Sequence, residues 1–290
     1  MTAKGDGVRL ASIGWRKAGR RWCAPILWLL ATAAASGGVR LEGQAAPGAR
    51  WGAARAAGVR APAGAQEEKF APAHTTLERI LSRYTRELGG MAAWRKATSI
   101  VSRGECQFEG SNLAGTALLY QRPPNRMAFI LNLPGVGVSQ MVIDGVHGWQ
   151  SNPRQPVRAL HGAELEQYLW NADFYHEVRL RTQFRAMKLL GIANLDGPRV
   201  YVIDALPRAG KLQRLYFEVS SGLLARVDVM LPNGSPSIVY YADYRNFRGL
   251  VIPVVQHMVT PEYTMTIRWT SVEVNRPMSE SVFKMPVERR

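Results

Sequence analysis

Cysteine is nearly absent: two in 290 residues, too few for a disulfide framework. Cys106 alternates with Phe108 on an apolar strand face, the setting of a small buried hydrophobe rather than a reactive thiol. The five histidines (His74, His147, His161, His176, His257) show no ligand spacing with one another or with Cys106, so no metal site is expected. H-E-x-x-H, G-x-S-x-G, a P-loop and a strand–GxGxxG–helix unit are all missing, and Gly135-Val-Gly137 stands alone as loop. Glu164 and Glu166, two apart near a helix, do not face each other, and Glu105 and Glu109 belong to a solvated strand end. These absences argue against an enzyme. They leave neither a catalytic residue nor a cofactor to name.

Acidic charge is also scarce, giving a net charge of +15. Residues 1–65 hold ten Lys/Arg against two Asp/Glu, however, so more than half of the excess sits in that segment. In the remainder the arginines are scattered at alternating strand positions, as on a solvated outer face. A basic stripe interleaved with stacking aromatics, which nucleic acid requires, does not appear. No nucleic-acid partner is expected.

The longest apolar run, Trp22 to Ala35, is too short to span a bilayer as a stable helix. It follows Lys4, Arg9, Arg16, Lys17, Arg20 and Arg21 and ends in small residues, so residues 1–35 read as a cleaved signal peptide and the protein as exported to the periplasm. The Arg20-Arg21 pair leaves the twin-arginine and general routes both open. Cys23 stands at the head of this run, behind Arg-Arg-Trp, and so is not a lipid-modified cysteine at the end of a signal. The mature chain is expected to lack a permanent membrane anchor. Residues 36–72 are Ala, Gly, Pro and Arg without periodicity and read as a flexible linker.

One folded domain, 73–290, is expected to follow. Thr75 or Thr76 caps a helix with Leu77, Ile80, Leu81, Tyr84 and Leu88 on one face, ended by Gly89-Gly90 and a Met91–Arg95 turn. The period then changes from 3.6 to 2. Strands are expected over Ser99–Phe108, Leu113–Arg122, Met127–Leu133, either side of Asp144-Gly145, Arg199–Ala205, Leu212–Val219, Leu223–Leu231, Ile238–Tyr244, Val251–Val259 and through Tyr263–Val274. Asp144-Gly145 gives a two-residue hairpin signal; Asp196-Gly197, Ser221-Gly222, Asn233-Gly234 and Arg248-Gly249 repeat the pattern. His161–His176 interrupts the strands with a second helical segment and loop. About eleven strands in an antiparallel meander are enough to curl a sheet into a half-barrel. In the last strand Tyr263, Met265, Ile267 and Trp269 share one face but Val272 and Val274 have the other parity, which predicts a bulge near Thr270-Ser271.

Three stretches then carry a resemblance. Tyr120-Gln-Arg-Pro-Pro-Asn-Arg-Met127 resembles the aromatic–x–basic–Arg–Pro–Asn–x–Phe stretch of the LolA-like periplasmic lipoprotein carriers. Asp144-Gly145, Trp149 and Asn152-Pro153 are similar to that family's Asp-Gly-x-x-x-Trp-x-x-Asn-Pro, and Phe283-Lys-Met-Pro286 to its closing Phe-x-x-Pro. Met127 stands where the family has Phe, and one proline is extra. The resemblance, over roughly 75–286, implies a mainly β, incomplete antiparallel barrel whose helices cover an apolar concave face. It further implies a cavity that receives lipoprotein acyl chains or other lipids, with an inner-membrane transporter and an outer-membrane acceptor as partners. The candidate cavity and lid residues are Leu77, Ile80, Leu81, Tyr84, Phe108, Met127, Phe129, Met141, Ile143, Trp149, Tyr263, Met265, Ile267 and Trp269. Arg122 takes the family's latch role, bonding lid carbonyls.

The function expected is a soluble carrier moving such ligands toward the outer membrane. A sensor of mislocalised lipoprotein or lipid uses the same fold; it usually needs a second interaction domain, and only four residues follow Pro286. An enzyme acting on envelope lipid needs a polar constellation inside the cavity.

Overall fold

The computed structural model describes residues 70–195, 197–208, 210–230 and 235–285. Two helices come first, α1 (Leu77–Glu87) and α2 (Gly90–Lys96). A first meander follows: β1 (Ile100–Phe108), β2 (Ala114–Arg122), β3 (Arg126–Leu133), β4 (Gly137–Ile143), β5 (Gly148–Asn152) and β6 (Gln155–Ala159). Next come α3 (Gly162–Asn171), a 3-10 turn (Glu177–Arg179) and α4 (Leu180–Gln183). The second meander is β7 (Phe184–Asn194), β8 (Arg199–Pro207), β9 (Gln213–Glu218), β10 (Leu224–Met230), β11 (Pro236–Phe247), β12 (Leu250–Val259) and β13 (Thr264–Val274). A 3-10 turn over Glu280–Phe283 ends the described chain.

All the strands form one sheet, in the order β6-β5-β4-β3-β2-β1-β13-β12-β11-β10-β9-β8-β7. Each meander pairs sequential neighbours, and the β1–β13 ladder joins the two. The sheet does not close: β6 and β7 are its edges, and the 160–183 segment runs from one edge to the other. Leu160, Tyr168, Ala172, Phe174 and Val178 of this segment pack into the interior clusters, which makes it a lid over the concave face.

The half-barrel expected from the alternation is present, with thirteen strands instead of about eleven. The two additional strands are β6 and β7. β6 carries Pro156 and is mostly exposed, which suits an edge that needs no further ladder bond. In β7 the alternation is broken by register shifts at Phe184/Ala186 and Leu189/Gly191, so its sequence shows no clean period of 2. Met91–Arg95, expected as a turn, lies within helix α2. Phe70 and Ala71, in the span expected to be linker, already touch the fold: Ala71 exchanges two backbone hydrogen bonds with Ile192, at 2.9 and 2.8 Å. The signal-peptide span, residues 36–69, Asp196, Asn233-Gly234 and Pro286 lie outside the described residues.

Three local devices were readable. Thr76 caps α1, its Oγ1 accepting from the Arg79 amide at 3.3 Å. The bulge falls where the parity change put it: Arg103 pairs with Ser271 and Gly104 with Trp269, leaving Thr270 as the extra residue. Arg248-Gly249 is a two-residue hairpin with both residues at positive φ (54° and 91°) between the paired Phe247 and Leu250. Asp144-Gly145 is not a two-residue hairpin. The loop runs from Asp144 to His147, and the Asp144 carboxylate accepts from the amides of Val146 (2.8 Å) and His147 (2.7 Å).

The core is divided. One cluster packs Phe108, Met127, Phe129, Leu131, Met141, Ile143, Met265, Ile267 and Trp269 beneath Leu160, Tyr168 and Ala172 of the lid. The other packs α1, α2 and Phe174 against the β8–β10 side, around Ile80, Leu81, Tyr84, Leu88, Trp94, Phe217 and Leu224. A small patch on the opposite face of the sheet places Ala128, Val142, Tyr120 and Trp149 beneath Phe283. Cys106 is buried in the first cluster, and desolvation pushes its thiol pKa up.

Candidate functional site

The two clusters do not merge into a single solid core. Between them is a cavity of about 170 Å³. The sheet supplies a mainly apolar floor, Ile100, Leu119, Val239, Met258, Met265, Ile267 and Trp269, interspersed with Ser102, Gln121 and Gln256. Helices α1 and α2 add Tyr84, Leu88 and Trp94 at one side. The lid contributes Asn171, Asp173, Phe174, His176 and Glu177, so the charged groups of the cavity lie on its lid side.

Alternation explains the floor. Leu119 and Gln121 of β2 face the cavity while Tyr120 and Arg122 face the other way. The bulge at Thr270 keeps Trp269 on the cavity side while Val272 rejoins the apolar face. Asp243, at φ 53°, interrupts the alternation of β11, and both Tyr241 and Tyr244 reach the wall. Their hydroxyl pKa values are pushed upward, first by burial and then by the Glu177 carboxylate.

Helix α1 is held on two sides. The Tyr84 hydroxyl donates to Glu177 Oε2 at 2.6 Å, tying the helix to the lid. Arg83 Nη1 donates to the Val219 carbonyl at 2.8 Å, and Nη2 to the Ser220 carbonyl, tying it to the β9–β10 turn. The lid meets the β2–β3 turn through the Phe174 amide, which donates to the Pro124 carbonyl at 2.9 Å. Gly89, at φ 96°, lets α1 and α2 approach the β11–β12 hairpin: a Cβ there would lie 1.9 Å from the Gly249 oxygen.

Of the residues expected to line a cavity, Tyr84, Met265, Ile267 and Trp269 do. Ile80 and Leu81 pack in the second cluster, with Leu77 partly buried against it. Met127, Phe129, Met141 and Ile143, at 0 % exposure, and Phe108 fill the first cluster as solid core. Tyr263 packs on Phe108, ring centroids 5.8 Å apart. Trp149 is on the opposite face of the sheet, beside Phe283.

Arg122 is also on that face. With Arg126 it pairs with the Glu280 carboxylate of the C-terminal turn, and it bonds no lid carbonyl. β2 parity turns the side chain of Arg122, for which a latch role was expected, away from the lid. The arginine bonding carbonyls across the helix–sheet boundary is Arg83. Hydrogen bonds from Arg122 lower the Glu280 carboxyl pKa despite opposing desolvation.

Two groups stand out among the cavity residues not anticipated. Ile100, Leu119, Val239 and Met258 lie on strand faces whose parity was readable. The lid residues Asn171 to Glu177 had no pattern to betray them. Ser102 and His176 both line the cavity, but no hydrogen bond joins them. Among the described residues no nucleophile–base pair is assembled there, and no group of three or more His, Cys, Asp or Glu is placed to hold a metal ion. No described helix is long and apolar enough to cross a membrane.

No protein-family model and no curated protein matches the chain. Solved structures do. A DUF1329 family protein from Desulfovibrio piger superposes with a TM-score of 0.51 at 13 % identity, covering 71 % of this chain and 96 % of that one. A domain assigned to outer membrane lipoprotein sorting from Vibrio parahaemolyticus gives 0.49 at 11 %, covering 71 % and 94 %. A LolA superfamily protein from Nitrosomonas europaea gives 0.49 at 13 %, covering 72 % and 98 %. The fold is therefore an open antiparallel half-barrel with a helical lid. The DUF1329 family protein shares that fold.

Proposed function

We propose that the protein is a periplasmic carrier that shelters an acyl chain of a lipoprotein or lipid between its two apolar clusters and passes it toward the outer membrane. The observation that carries this reading is the lidded, apolar-floored cavity at the seam of those clusters. Well-packed interiors leave few voids larger than a water molecule, so a void of 170 Å³ beneath an interdomain-like seam is a feature to be explained. An apolar cavity of about 150 Å³ holds one benzene. The closed state therefore accommodates a segment of chain, and a whole chain requires the lid to part.

Energetics supports carriage over free release. At about 0.8 kcal/mol per buried CH₂, a sixteen-carbon chain sheltered fully would gain about 13 kcal/mol over water. Such a ligand leaves by exchange with a membrane or a partner protein. Export by residues 1–35, a linker that follows, and transfer between an inner-membrane transporter and an outer-membrane acceptor belong to this proposal.

Native mass spectrometry of the exported protein, with extraction of bound lipid, tests it. A co-purifying acyl species, or binding of an acylated peptide, is the expected result. Absence of both sinks the carrier reading.

A further inference from the structure

The lid side of the cavity contains groups that a hydrocarbon ligand alone would not use. Asn171, the last residue of α3, is more than nine-tenths buried, with 7 % exposure, and lines the cavity. Neither its Oδ1 nor its Nδ2 has a hydrogen-bond partner among the described residues. His176, five residues on in the same lid segment, also lines the cavity, and its buried Nδ1 is likewise without a partner. Buried polar atoms without partners are rare because each costs its full desolvation free energy. Three such atoms, on two residues of one wall facing a mainly apolar floor, are better explained by a ligand than by packing.

The charges around them narrow the ligand. Among the described residues no Lys or Arg lines the cavity; the charged residues there are Asp173 and Glu177. Their oxygens already accept hydrogen bonds: Asp173 from the Tyr175 amide (2.9 Å) and Gln183 Nε2 (2.7 Å), Glu177 from Tyr84 (2.6 Å). The nearest cation along the lid, Arg179, is stacked on the Tyr175 ring at 4.6 Å. A carboxylate or phosphate entering this compartment would meet two like charges at low dielectric with no cation to offset them. A carboxamide, by contrast, offers both donor and acceptor to a neutral carbonyl, hydroxyl or amide.

We infer that the cavity selects acyl ligands whose polar end is an uncharged ester or amide, with Asn171 and His176 as the groups that recognise it. The inference rests on the acyl-chain reading above and narrows it: fatty-acid anions and chains whose phosphate must enter the cavity are disfavoured, and neutral acyl esters and amides are taken.

The test uses the full chain and displacement of a neutral apolar dye, N-phenylnaphthylamine, by 1-monodecanoylglycerol and by decanoate, both below their aggregation concentrations. The ester is expected to displace the dye at a concentration about tenfold or more below that needed for decanoate, the scale of one or two discriminating hydrogen bonds. Asn171→Leu is expected to lower the ester's affinity relative to the dye's by about three- to tenfold. His176→Phe supplies a second variant with the same direction, and thermal melts verify that both fold. Decanoate binding as well as the ester, or folded variants that keep full ester affinity, overturns the inference while the acyl-chain reading stands. If dye, ester and decanoate all fail to bind, the carrier reading falls, and this one with it.

Discussion

Tyr84→Phe isolates the hydrogen bond that closes the lid. The phenylalanine ring keeps the edge-on contact with Phe217, centroids 5.1 Å apart, and loses only the hydroxyl that donates to Glu177 at 2.6 Å. A hydrogen bond to a charged acceptor is worth about 1.5–3 kcal/mol when buried. Glu177 is only partly buried, so water regains part of that, and the lower end applies. About 1.4 kcal/mol is a factor of ten in an equilibrium, so the open-lid population should rise about tenfold. Hydrogen exchange reads this directly. Amides in 77–88 and 171–183 are expected to exchange about tenfold faster, and those of β8 and β9 to stay as they were. The dye should also enter faster. Unchanged lid exchange would falsify the clamp, and an equal rise across the whole sheet would show that the bond supports global stability instead.

Arg122→Leu should leave dye and ester affinity within about twofold, the usual scatter of a surface change; its effect should instead be faster proteolysis of the Glu280–Phe283 turn. That attachment has a pH sign: Glu280's folded pKa lies below its ordinary value of 4.5, so the contribution is fully present above 4.5 and lost as pH falls through the depressed value. A carboxyl titration by NMR that places Glu280 at or above 4.5 would contradict it. Gly89→Ala puts a Cβ 1.9 Å from the Gly249 oxygen at φ 96°, and should cost about 2 kcal/mol or more in urea unfolding. Asn171→Leu should raise stability by about 1–3 kcal/mol by removing an unpartnered buried amide, so a melting temperature below the parent's would mean that the amide is already satisfied within the fold.

The sequence carried the architecture further than the site. Period-2 runs and turn residues located eleven strands, and one parity change located a bulge near Thr270-Ser271, where the ladder leaves Thr270 unpaired. β7 was hidden because two register shifts erase its alternation, and β6 because a proline on an exposed edge imitates loop. For the cavity, parity states which face a side chain takes, not whether anything fills the space in front of it. Met127 and Met265 share the concave face and are equally sealed from solvent, yet one is solid core and the other borders the void. That difference depends on where α1 and the lid settle, which is a matter of tertiary closure. Arg122 shows the same limit from the other side: its motif was recognised, but β2 parity, together with Glu280 far along the chain, decides what it touches.

The size of the cavity and the strength of the clamp together set how affinity should depend on chain length. Up to about six carbons, roughly what a benzene-sized space holds, a chain fits with the lid shut. Each CH₂ should then add close to the full ~0.8 kcal/mol. A longer chain must first part Tyr84 from Glu177, about 1.5–3 kcal/mol by the usual worth of such a bond. Several additional methylenes are needed to offset that cost, and beyond them affinity climbs again. A ligand can shift the lid equilibrium only by its differential affinity for the open and closed states, so the plateau measures the clamp itself. In a series of 1-monoacylglycerols the increment should therefore flatten past about six carbons and recover in longer chains, with Tyr84→Phe shortening the flat region. A constant increment across the series would mean that the lid contributes nothing to binding, and that the closed cavity is not the state that takes the ligand.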